Sequence, residues 1–338
     1  MGAERAASPA ALMQLVLAFR VSQALHVTAI LGVADLLAVG PRTAADVAQA
    51  TGTHPRALYR LLRAVASVGV LAEDGAGAFA LTDLGQLLRA DHPRSVHGNA
   101  VWTGYPTVWG TWQHLRYSVE TGEPAFRHLH GVDPWTYREQ HPDAGALFDR
   151  AMTSLALQQR DAVVAGYAFA GARTVVDVGG GQGAQLAAVL AAYPRARGVL
   201  FDQPHVVAGA APLLRAAGVA DRCAVVGGSF FEAVPDGGDV YLLSRVIHDW
   251  DDAQATAILR TCRRATGPDA TLLLVERVIA PDNAPDPTRF SDLTMLVMLG
   301  GRERTAAEFG ALYAAAGFRL TRVLPTGAGV SLLEGQPT

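Results

Sequence analysis

The second half of the chain alternates short apolar runs with segments whose apolar residues recur at helical spacing. Repeated strand-then-helix patterning is typical of a parallel sheet covered by helices on both faces. After a further predicted helix, residues 317–323 and 330–334 predict a closing hairpin, which departs from a purely parallel dinucleotide-binding sheet. The runs that predict parallel strands are residues 175–178, 198–201, 223–226, 240–243 and 271–276.

The first half opens with apolar residues on more than one face of a predicted helix or helix pair, from Leu12 to Leu31. A partner subunit is the natural cover for such a surface, and an ordinary core helix is the alternative. Next, residues 43–50 and 56–68 predict two helices joined by a tight turn, and two short runs that end at Leu71 and Thr82 predict a wing. This is the outline of a winged helix-turn-helix.

Winged helices often read DNA, and the second predicted helix carries Arg56, Arg60 and Arg63. Arg60 and Arg63 alternate with apolar residues, and the flanking turn adds no further arginine or lysine. A solvated edge on a packing helix explains the arginines better than phosphate contacts do. We therefore expect the wing to serve dimerisation and expect no nucleic-acid partner.

Residues 91–140 hold four of the five tryptophans together with several tyrosines and histidines. We expect this segment, with Trp102 and Trp109 among its residues, to line a pocket for a flat aromatic substrate; clamping of two domains is the alternative. His128 and His130 lack a carboxylate partner at metal-ligand spacing, so a solvated loop is favoured and no metal is expected.

Composition narrows the class of protein. The 338 residues are 50% hydrophobic and 17% charged with a net charge of -3, which favours two globular domains and a small, neutral or mildly charged ligand. Cys223 and Cys262 are distant in sequence and predict reduced core residues of a cytoplasmic protein. Polar residues such as Gln14 and Arg20 interrupt the apolar N-terminal segment, so neither a signal peptide nor a membrane span is expected.

The chemistry is expected around a glycine-rich turn. Residues 174–183 read as a strand that ends in a small acid and three consecutive glycines, and a helix follows. Glycines let backbone N–H groups approach a ligand closely, and the helix N-terminus favours a nucleotide or carboxylate. Asp202, at the end of the next predicted strand, is placed to accept hydrogen bonds from a ribose.

Other polar residues follow the ends of further predicted strands, where ligands bind in open parallel sheets. His248 alone among them has an ordinary pKa near neutrality, which makes it the natural general base. Glu276 or Glu303 is expected to orient its ring and stabilise the protonated form. We expect the ring to face the cleft beside the glycine turn. The remaining polar residues at these strand ends are Asp177, Asp202, Ser229 and Ser244.

These motifs, in this order, resemble S-adenosylmethionine-dependent O-methyltransferases of the plant caffeate and bacterial polyketide-tailoring type. The resemblance covers nearly the full length. It implies an α/β fold in which a Rossmann-like seven-stranded methyltransferase domain, its last strand antiparallel, follows a mostly α-helical winged-helix dimerisation domain. It also implies a homodimer. The motifs are residues 176–183, 201–207, 226–232, 245–252, 274–276 and 292–305.

The resemblance also implies residue roles. His248 matches the family's base, with Glu276 and Glu303 as the flanking acids. Ser229 stands where many relatives have an aspartate that reads the adenine amino group, and Ser244 stands where the plant enzymes have lysine. We therefore expect adenine to be held mainly by Phe230 and backbone. The residues expected to contact S-adenosylmethionine are Asp177, Gly179, Gly181, Asp202, Ser229, Phe230, Ser244 and Met152. Those expected to contact substrate are Trp102, Trp109, Asp249 and Met295.

The resulting interpretation has three segments: a dimerisation domain at 1–95, a helical substrate-lining linker at 96–168 and the cofactor domain at 169–338. Three alternatives stay open at this stage. Some relatives hydroxylate or decarboxylate such substrates instead. The spacing of Gly179, Gly181 and Ala184 also fits a nicotinamide oxidoreductase. A winged-helix regulator that senses a small ligand is the non-enzyme alternative.

Overall fold

The computed structural model describes residues 8–282 and 284–338 of the chain; the first seven residues of the predicted dimerisation domain lie outside this range, as does Asn283. The chain divides into two compact units, one that ends at Trp109 and one that spans Gly110–Thr338. The boundaries predicted at 95 and 168 stay a prediction.

The first unit contains the predicted winged helix. A capping box between Thr43 and Asp46 begins the first of its two helices, and Gly52, with φ of 65°, ends it in a left-handed turn. The wing has a third strand that the sequence did not reveal, in the antiparallel order β1-β3-β2. The elements are α1 (Pro9–Val16), α2 (Phe19–Ile30), α3 (Val33–Leu37), β1 (Arg42–Thr43), α4 (Ala44–Thr51), α5 (Pro55–Ala66), β2 (Leu71–Glu73), β3 (Ala78–Leu81), α6 (Asp83–Gln86), α7 (His97–Thr103) and α8 (Pro106–Trp112), whose last turn passes the unit boundary.

Helices α1 and α2 expose a run of large apolar side chains. Leu12, Leu15 and Phe19 are 63%, 61% and 53% exposed. By length and composition alone, Pro9–Ile30 could also cross a membrane, which is weak evidence because core helices and signal sequences pass the same test. The predicted absence of a membrane span therefore stays a prediction.

The second unit begins with helices and continues as alternating strands and helices. His128 and His130 lie on a short helix, not on the loop that the sequence suggested. The elements are α9 (Leu115–Thr121), α10 (Ala125–His130), α11 (Pro134–Gln140), α12 (Pro142–Gly166), β4 (Thr174–Val178), α13 (Ala184–Ala192), β5 (Arg197–Asp202), α14 (Pro204–Val207), α15 (Ala211–Ala216), β6 (Cys223–Gly227), β7 (Val240–Ser244), α16 (Asp252–Ala265), β8 (Thr271–Glu276), α17 (Thr288–Met298), α18 (Ala306–Ala315), β9 (Phe318–Pro325) and β10 (Ser331–Pro337), with 3-10 turns at Ala220–Arg222 and Ile247–Asp249.

The strands form one seven-stranded sheet in the order β6-β5-β4-β7-β8-β10-β9. The first five strands pair in parallel, and β10 pairs antiparallel with both β8 and β9. The predicted α/β class, the parallel strands and the closing hairpin are confirmed.

Both faces of the central strands β4, β7 and β8 are buried, whereas the edge strands β6 and β9 are largely exposed. Alternate strand residues enter two separate cores, so that Val176 and Leu243 pack on one face while Val175 and Leu242 pack on the other. Near-continuous apolar strands are expected when helices cover both sides of a sheet. The polar residues that follow the strands are therefore concentrated at the carboxyl edge, where β4, β5, β7 and β8 end side by side.

Candidate active site

A cavity of 560 Å³ opens at the carboxyl ends of the parallel strands. Its walls come from the glycine-rich turn after β4, from the loops after β5, β6 and β7, and from helices α11 and α12. Every residue predicted to contact the cofactor lines this one cavity. These residues are Asp177, Gly179, Gly181, Asp202, Ser229, Phe230, Ser244 and Met152.

Glycine is required in the turn for two different reasons. At Gly179, φ is 70° and an added Cβ would lie 2.7 Å from Val246 Cγ2, so any side chain collides with the protein. At Gly181, φ is 59° and an added Cβ meets nothing within 4 Å, so a side chain would extend into open space beside the cavity. The turn keeps its backbone bare on the side where a ligand would lie.

Two carboxylates flank the turn. Asp202 accepts hydrogen bonds from the backbone N–H groups of Gly181 and Gln203, at 2.8 and 2.7 Å, and its oxygens retain lone pairs for a ligand. Asp177 is fully buried, and neither of its oxygens has a partner among the described residues. Burial, together with the charge of Asp202, raises the pKa of Asp177 to about 7. A bound positive charge would offset both effects.

Aromatic rings and two arginines complete the lining. Trp135 stacks on Trp250 with ring centroids 5.7 Å apart, and Phe230 meets Trp250 edge to face. Arg138 lies against the aromatic wall, with its guanidinium carbon 3.5 Å from the centroid of the Phe148 ring. These residues give the cavity flat apolar surfaces with charge beside them.

Arg245 is a lining residue that the sequence interpretation quoted but gave no role. Its φ of 57° makes it the one non-glycine residue of positive φ within the described chain. Its Nε and Nη1 are buried without a hydrogen-bond partner among those same residues. The left-handed backbone and the two nitrogens without described hydrogen-bond partners indicate that Arg245 contacts a ligand, although the charges of Asp249, Glu276 and Glu303 act on the same guanidinium. No sequence pattern marks this, because an arginine is not expected in a left-handed conformation.

His248 lies in the 3-10 turn after β7 and contacts three carboxylates. Its Nδ1 is 3.0 Å from Glu303 Oε1 and 3.9 Å from Glu276 Oε2, and its Nε2 is 3.3 Å from Asp249 Oδ1. Glu303 also accepts a hydrogen bond from the Ser291 hydroxyl at 2.6 Å, which fixes its orientation. The predicted neighbours of His248 are thus brought together, and Glu303 makes the direct contact.

The carboxylates determine the protonation of the ring. Burial lowers the pKa of His248, and the negative charges of Glu276, Asp249 and Glu303 raise it by more, to about 9. Burial raises the pKa of Glu303, but its contacts with His248 lower it by more, so Glu303 stays ionised. At neutral pH the imidazole is therefore mostly protonated, and it must lose a proton before it can act as a base.

The turn that carries His248 is held in place from two sides. Glu276 Oε1 accepts the backbone N–H groups of Val246 and Ile247, at 3.1 and 2.8 Å. The fully buried guanidinium of Arg304 donates to the carbonyl oxygens of Ile247 and Trp250, at 3.1 and 2.8 Å. Glu276 therefore holds the backbone of the turn, and its negative charge also raises the pKa of the imidazole.

The position of the ring also differs from the sequence expectation. His248 is only 2% exposed, and the described residues that line the cavity include Asp249 but not His248. Asp249 Oδ1 lies 3.3 Å from His248 Nε2, and Asp249 itself lines the cavity. Met295 is buried on α17 and is not part of the described lining. Trp102 and Trp109 belong to the first unit, and their predicted role stays a prediction.

One group of described residues has the spacing of a metal site. Ligand atoms of His248, Glu276 and Glu303 lie within 4.8 Å of one another. The 3.0 Å contact between His248 Nδ1 and Glu303, however, has the length of a charge-assisted hydrogen bond. The predicted absence of a metal remains a prediction.

Comparison with known proteins places these features in a family. A family model described as the O-methyltransferase domain matches residues 112–319, and one described as the O-methyltransferase dimerisation domain matches residues 13–91. The phenazine O-methyltransferase PhzM of Lysobacter antibioticus is 44% identical over 326 residues, which cover 96% of this chain and 95% of that protein. The mitomycin biosynthesis 6-O-methyltransferase of Streptomyces lavendulae is 44% identical over 309 residues, 91% and 88% of the two chains.

A solved structure extends the likeness to the cofactor. The O-methyltransferase NcsB1 from neocarzinostatin biosynthesis was crystallised with S-adenosylmethionine and 2-hydroxy-5-methyl naphthoic acid. It superimposes with a TM-score of 0.77 at 36% identity, over 94% of this chain and 96% of that one. The chain is therefore a member of the O-methyltransferase family, with a dimerisation domain followed by an S-adenosylmethionine-dependent methyltransferase domain.

Proposed function

We propose that the chain methylates a hydroxyl group, most simply a phenolic one, on an aromatic natural product such as a polyketide. The named relatives are a phenazine O-methyltransferase and a 6-O-methyltransferase of mitomycin biosynthesis, and a solved neighbour carries a naphthoic acid. The cavity suits a substrate of this kind, because its wall presents the rings of Trp135, Phe230 and Trp250. Antibiotic biosynthesis is the context that these relatives support.

The residues of the cavity fit S-adenosylmethionine. Asp202 has lone pairs free for ribose hydroxyls, and Phe230 offers a ring face for adenine. The unpaired Arg245 guanidinium suits the carboxylate of the methionine part, and the partnerless Asp177 suits a positive charge. Ser229 and Ser244 each supply one hydroxyl where many relatives have a charge, so we expect adenine to be held mainly by Phe230 and backbone.

The chemistry requires a proton acceptor near this cofactor. When bound, S-adenosylmethionine supplies a methyl group on a positively charged sulfur, which a substrate oxygen attacks in line. The protein's task is to position that oxygen and to hold the proton it loses. We assign His248 as the final holder of this proton at Nε2, since Glu303 occupies Nδ1 at 3.0 Å. Glu303 stabilises the resulting imidazolium, as the acid of a catalytic triad does.

The homodimer and the cytoplasmic location are also proposals. A dimerisation domain matches residues 13–91, and within it α1 and α2 expose apolar side chains that a second copy would bury. In the family resemblance, each N-terminal segment contributes to its partner's substrate pocket. Trp102 and Trp109 are proposed as substrate contacts, as are Asp249 and Met295.

One observation carries the proposal. The glycine turn, Asp202 and Asp249 line a single cavity, and His248 Nε2 lies 3.3 Å from Asp249 Oδ1. The test is incubation with methyl-labelled S-adenosylmethionine and a panel of phenols, naphthols and hydroxyphenazines. We expect label in an aryl methyl ether. Hydroxylated or decarboxylated products without label would favour the repurposed family members, and no turnover with any acceptor would contradict the proposal.

The raised pKa of His248 predicts the pH dependence of kcat. The ring must be neutral to take up a proton, so kcat should rise about tenfold per pH unit from about pH 6 and level off at about 9. A phenol has a pKa of about 10, so proton transfer to such a base is nearly balanced. The measurement is a pH profile at saturating cofactor and acceptor.

Glu276→Gln separates this effect from ionisation of the substrate. The amide oxygen of glutamine can keep the hydrogen bonds from Val246 and Ile247, whereas the negative charge that raises the pKa of His248 is lost. The rising limb of the profile should therefore move to lower pH. An unchanged limb would show that the acceptor, and not His248, titrates.

A further inference from the structure

Asp249 contacts His248 and also lines the cavity. His248 has 3% of its side chain exposed, Asp249 has 13%, and of the two only Asp249 belongs to the described cavity lining. A hydroxyl group bound in the cavity therefore reaches the carboxylate of Asp249 before it reaches the imidazole. Asp249 Oδ1 lies 3.3 Å from His248 Nε2, which is an ion-pair distance when the ring is protonated.

The other ring nitrogen is already committed. Nδ1 lies 3.0 Å from Glu303 Oε1, which accepts a second hydrogen bond from Ser291. Because an ionised carboxylate only accepts, Nδ1 must carry a proton and donate it. Nε2 is thus the one ring nitrogen that can gain or lose a proton during turnover, and it faces Asp249.

Nε2 carries a proton in the resting protein, because the surrounding negative charges raise the pKa of the ring. The protonated ring attracts the Asp249 carboxylate, whereas two unprotonated acceptors at 3.3 Å would repel each other. The charged groups around the pair are Glu276 at the end of β8, Glu303 after α17, Arg245 after β7 and Arg138 on α11. When the proton on Nε2 leaves, both atoms are acceptors and the pair is ready to accept another.

We propose that Asp249 is a catalytic proton relay, which accepts the proton of the substrate hydroxyl at the cavity and passes it to His248 Nε2. This inference rests on the proposed methyl transfer. The O–H bond of the substrate breaks, and its electron pair forms the bond from oxygen to the methyl carbon. The pair of the breaking carbon–sulfur bond stays on sulfur. The proton moves to Asp249 and then to Nε2, and it returns to solvent after product release.

The environment of Asp249 suits a carrier of this kind. Burial raises the pKa of its carboxyl group, although the positive charges of His248, Arg245 and Arg138 oppose the rise. A carboxylate with a raised pKa holds a proton briefly at lower cost than a solvated one. Its two oxygens can serve the two partners at once, one toward the ring and one toward the cavity.

The test is Asp249→Asn, because an amide keeps the shape and hydrogen-bonding capacity but cannot carry the proton. The relay predicts that kcat falls by about a hundredfold at every pH, while KM for the acceptor changes little. If Asp249 only raises the pKa of His248, the variant lowers that pKa and kcat at neutral pH rises. If Asp249 only binds the acceptor, KM rises and kcat holds. Either of these results overturns the relay.

Two further measurements guard against misfolding and against failure of the proposed function. Asp249→Glu restores a carboxylate and should recover part of kcat, and calorimetry should find cofactor binding unchanged in both variants. In mixtures of H₂O and D₂O, a plot of wild-type kcat against the fraction of D₂O should be curved, because two protons move in the same step. A straight line would contradict the relay. Absence of methyl transfer in the wild-type protein would instead reject the proposed function.

Discussion

His248→Ala is expected to lower kcat by roughly a hundredfold or more, because the variant loses the group that we propose as the final holder of the substrate's proton. The variant also removes the shared partner of two carboxylates, because Glu303 contacts Nδ1 of the ring and Asp249 contacts Nε2. Cofactor binding should survive, since His248 is not part of the described cavity lining. The measurement is steady-state kinetics at saturating cofactor, with calorimetry to verify binding.

A matched variant separates catalysis from general effects of losing a histidine. His114→Ala removes an exposed ring that contacts only the Gly110 carbonyl in the described hydrogen bonds, and it should keep normal kcat. If His248→Ala turned over at a near-normal rate, the assignment of the base would be rejected. If it lost both kcat and cofactor affinity, the result would point to collapse of the turn held by Glu276 and Arg304.

Gly181→Val is expected to weaken S-adenosylmethionine binding by roughly a hundredfold. The added side chain would meet no protein atom within 4 Å of its Cβ, so the fold can accommodate it. It would extend beside a cavity that Gly181 lines, where the cofactor is expected. The measurement is calorimetric titration with S-adenosylmethionine, with NADH as the competing cofactor class.

The control for backbone strain is Gly237→Val. Gly237 has a similar positive φ of 76° and equally open surroundings, but it is not among the described residues of the cavity lining. Both variants incur the cost of placing valine at positive φ, and only Gly181→Val should lose cofactor affinity. Equal losses would mean that strain and not occlusion acts. Tight NADH binding by the wild-type protein would contradict the cofactor assignment.

Much of the fold is predictable from the pattern of apolar residues. Continuous apolar runs such as residues 272–275 and 240–243 are buried on both sheet faces, so their sequences allow little other than an internal strand. Because these strands are parallel, the acids and serines that follow them meet at one edge. For the same reason Asp177 and Asp202 could be placed at one site without coordinates.

The parts that sequence reasoning missed depend on side-chain direction and burial. Arg245 was identified as a ligand-contacting candidate from its left-handed backbone and from two buried guanidinium nitrogens without hydrogen-bond partners in the described chain. Neither feature leaves a sequence pattern. Arg304 lies more than fifty residues from the carbonyl groups that it holds. Asp249 lines the cavity while its neighbour His248 in the same short 3-10 turn is buried, and adjacent positions in a sequence do not specify this difference.

The most direct test of the account is to measure the protonation state of His248 itself. Nitrogen NMR of the labelled imidazole would monitor it as the pH is raised. His248→Ala assigns the signal. The account predicts that both ring nitrogens carry protons at neutral pH and that Nε2 loses its proton at about pH 9, where kcat levels off. A ring that is neutral at pH 7, with a pKa near the ordinary value of about 6.5, would contradict it.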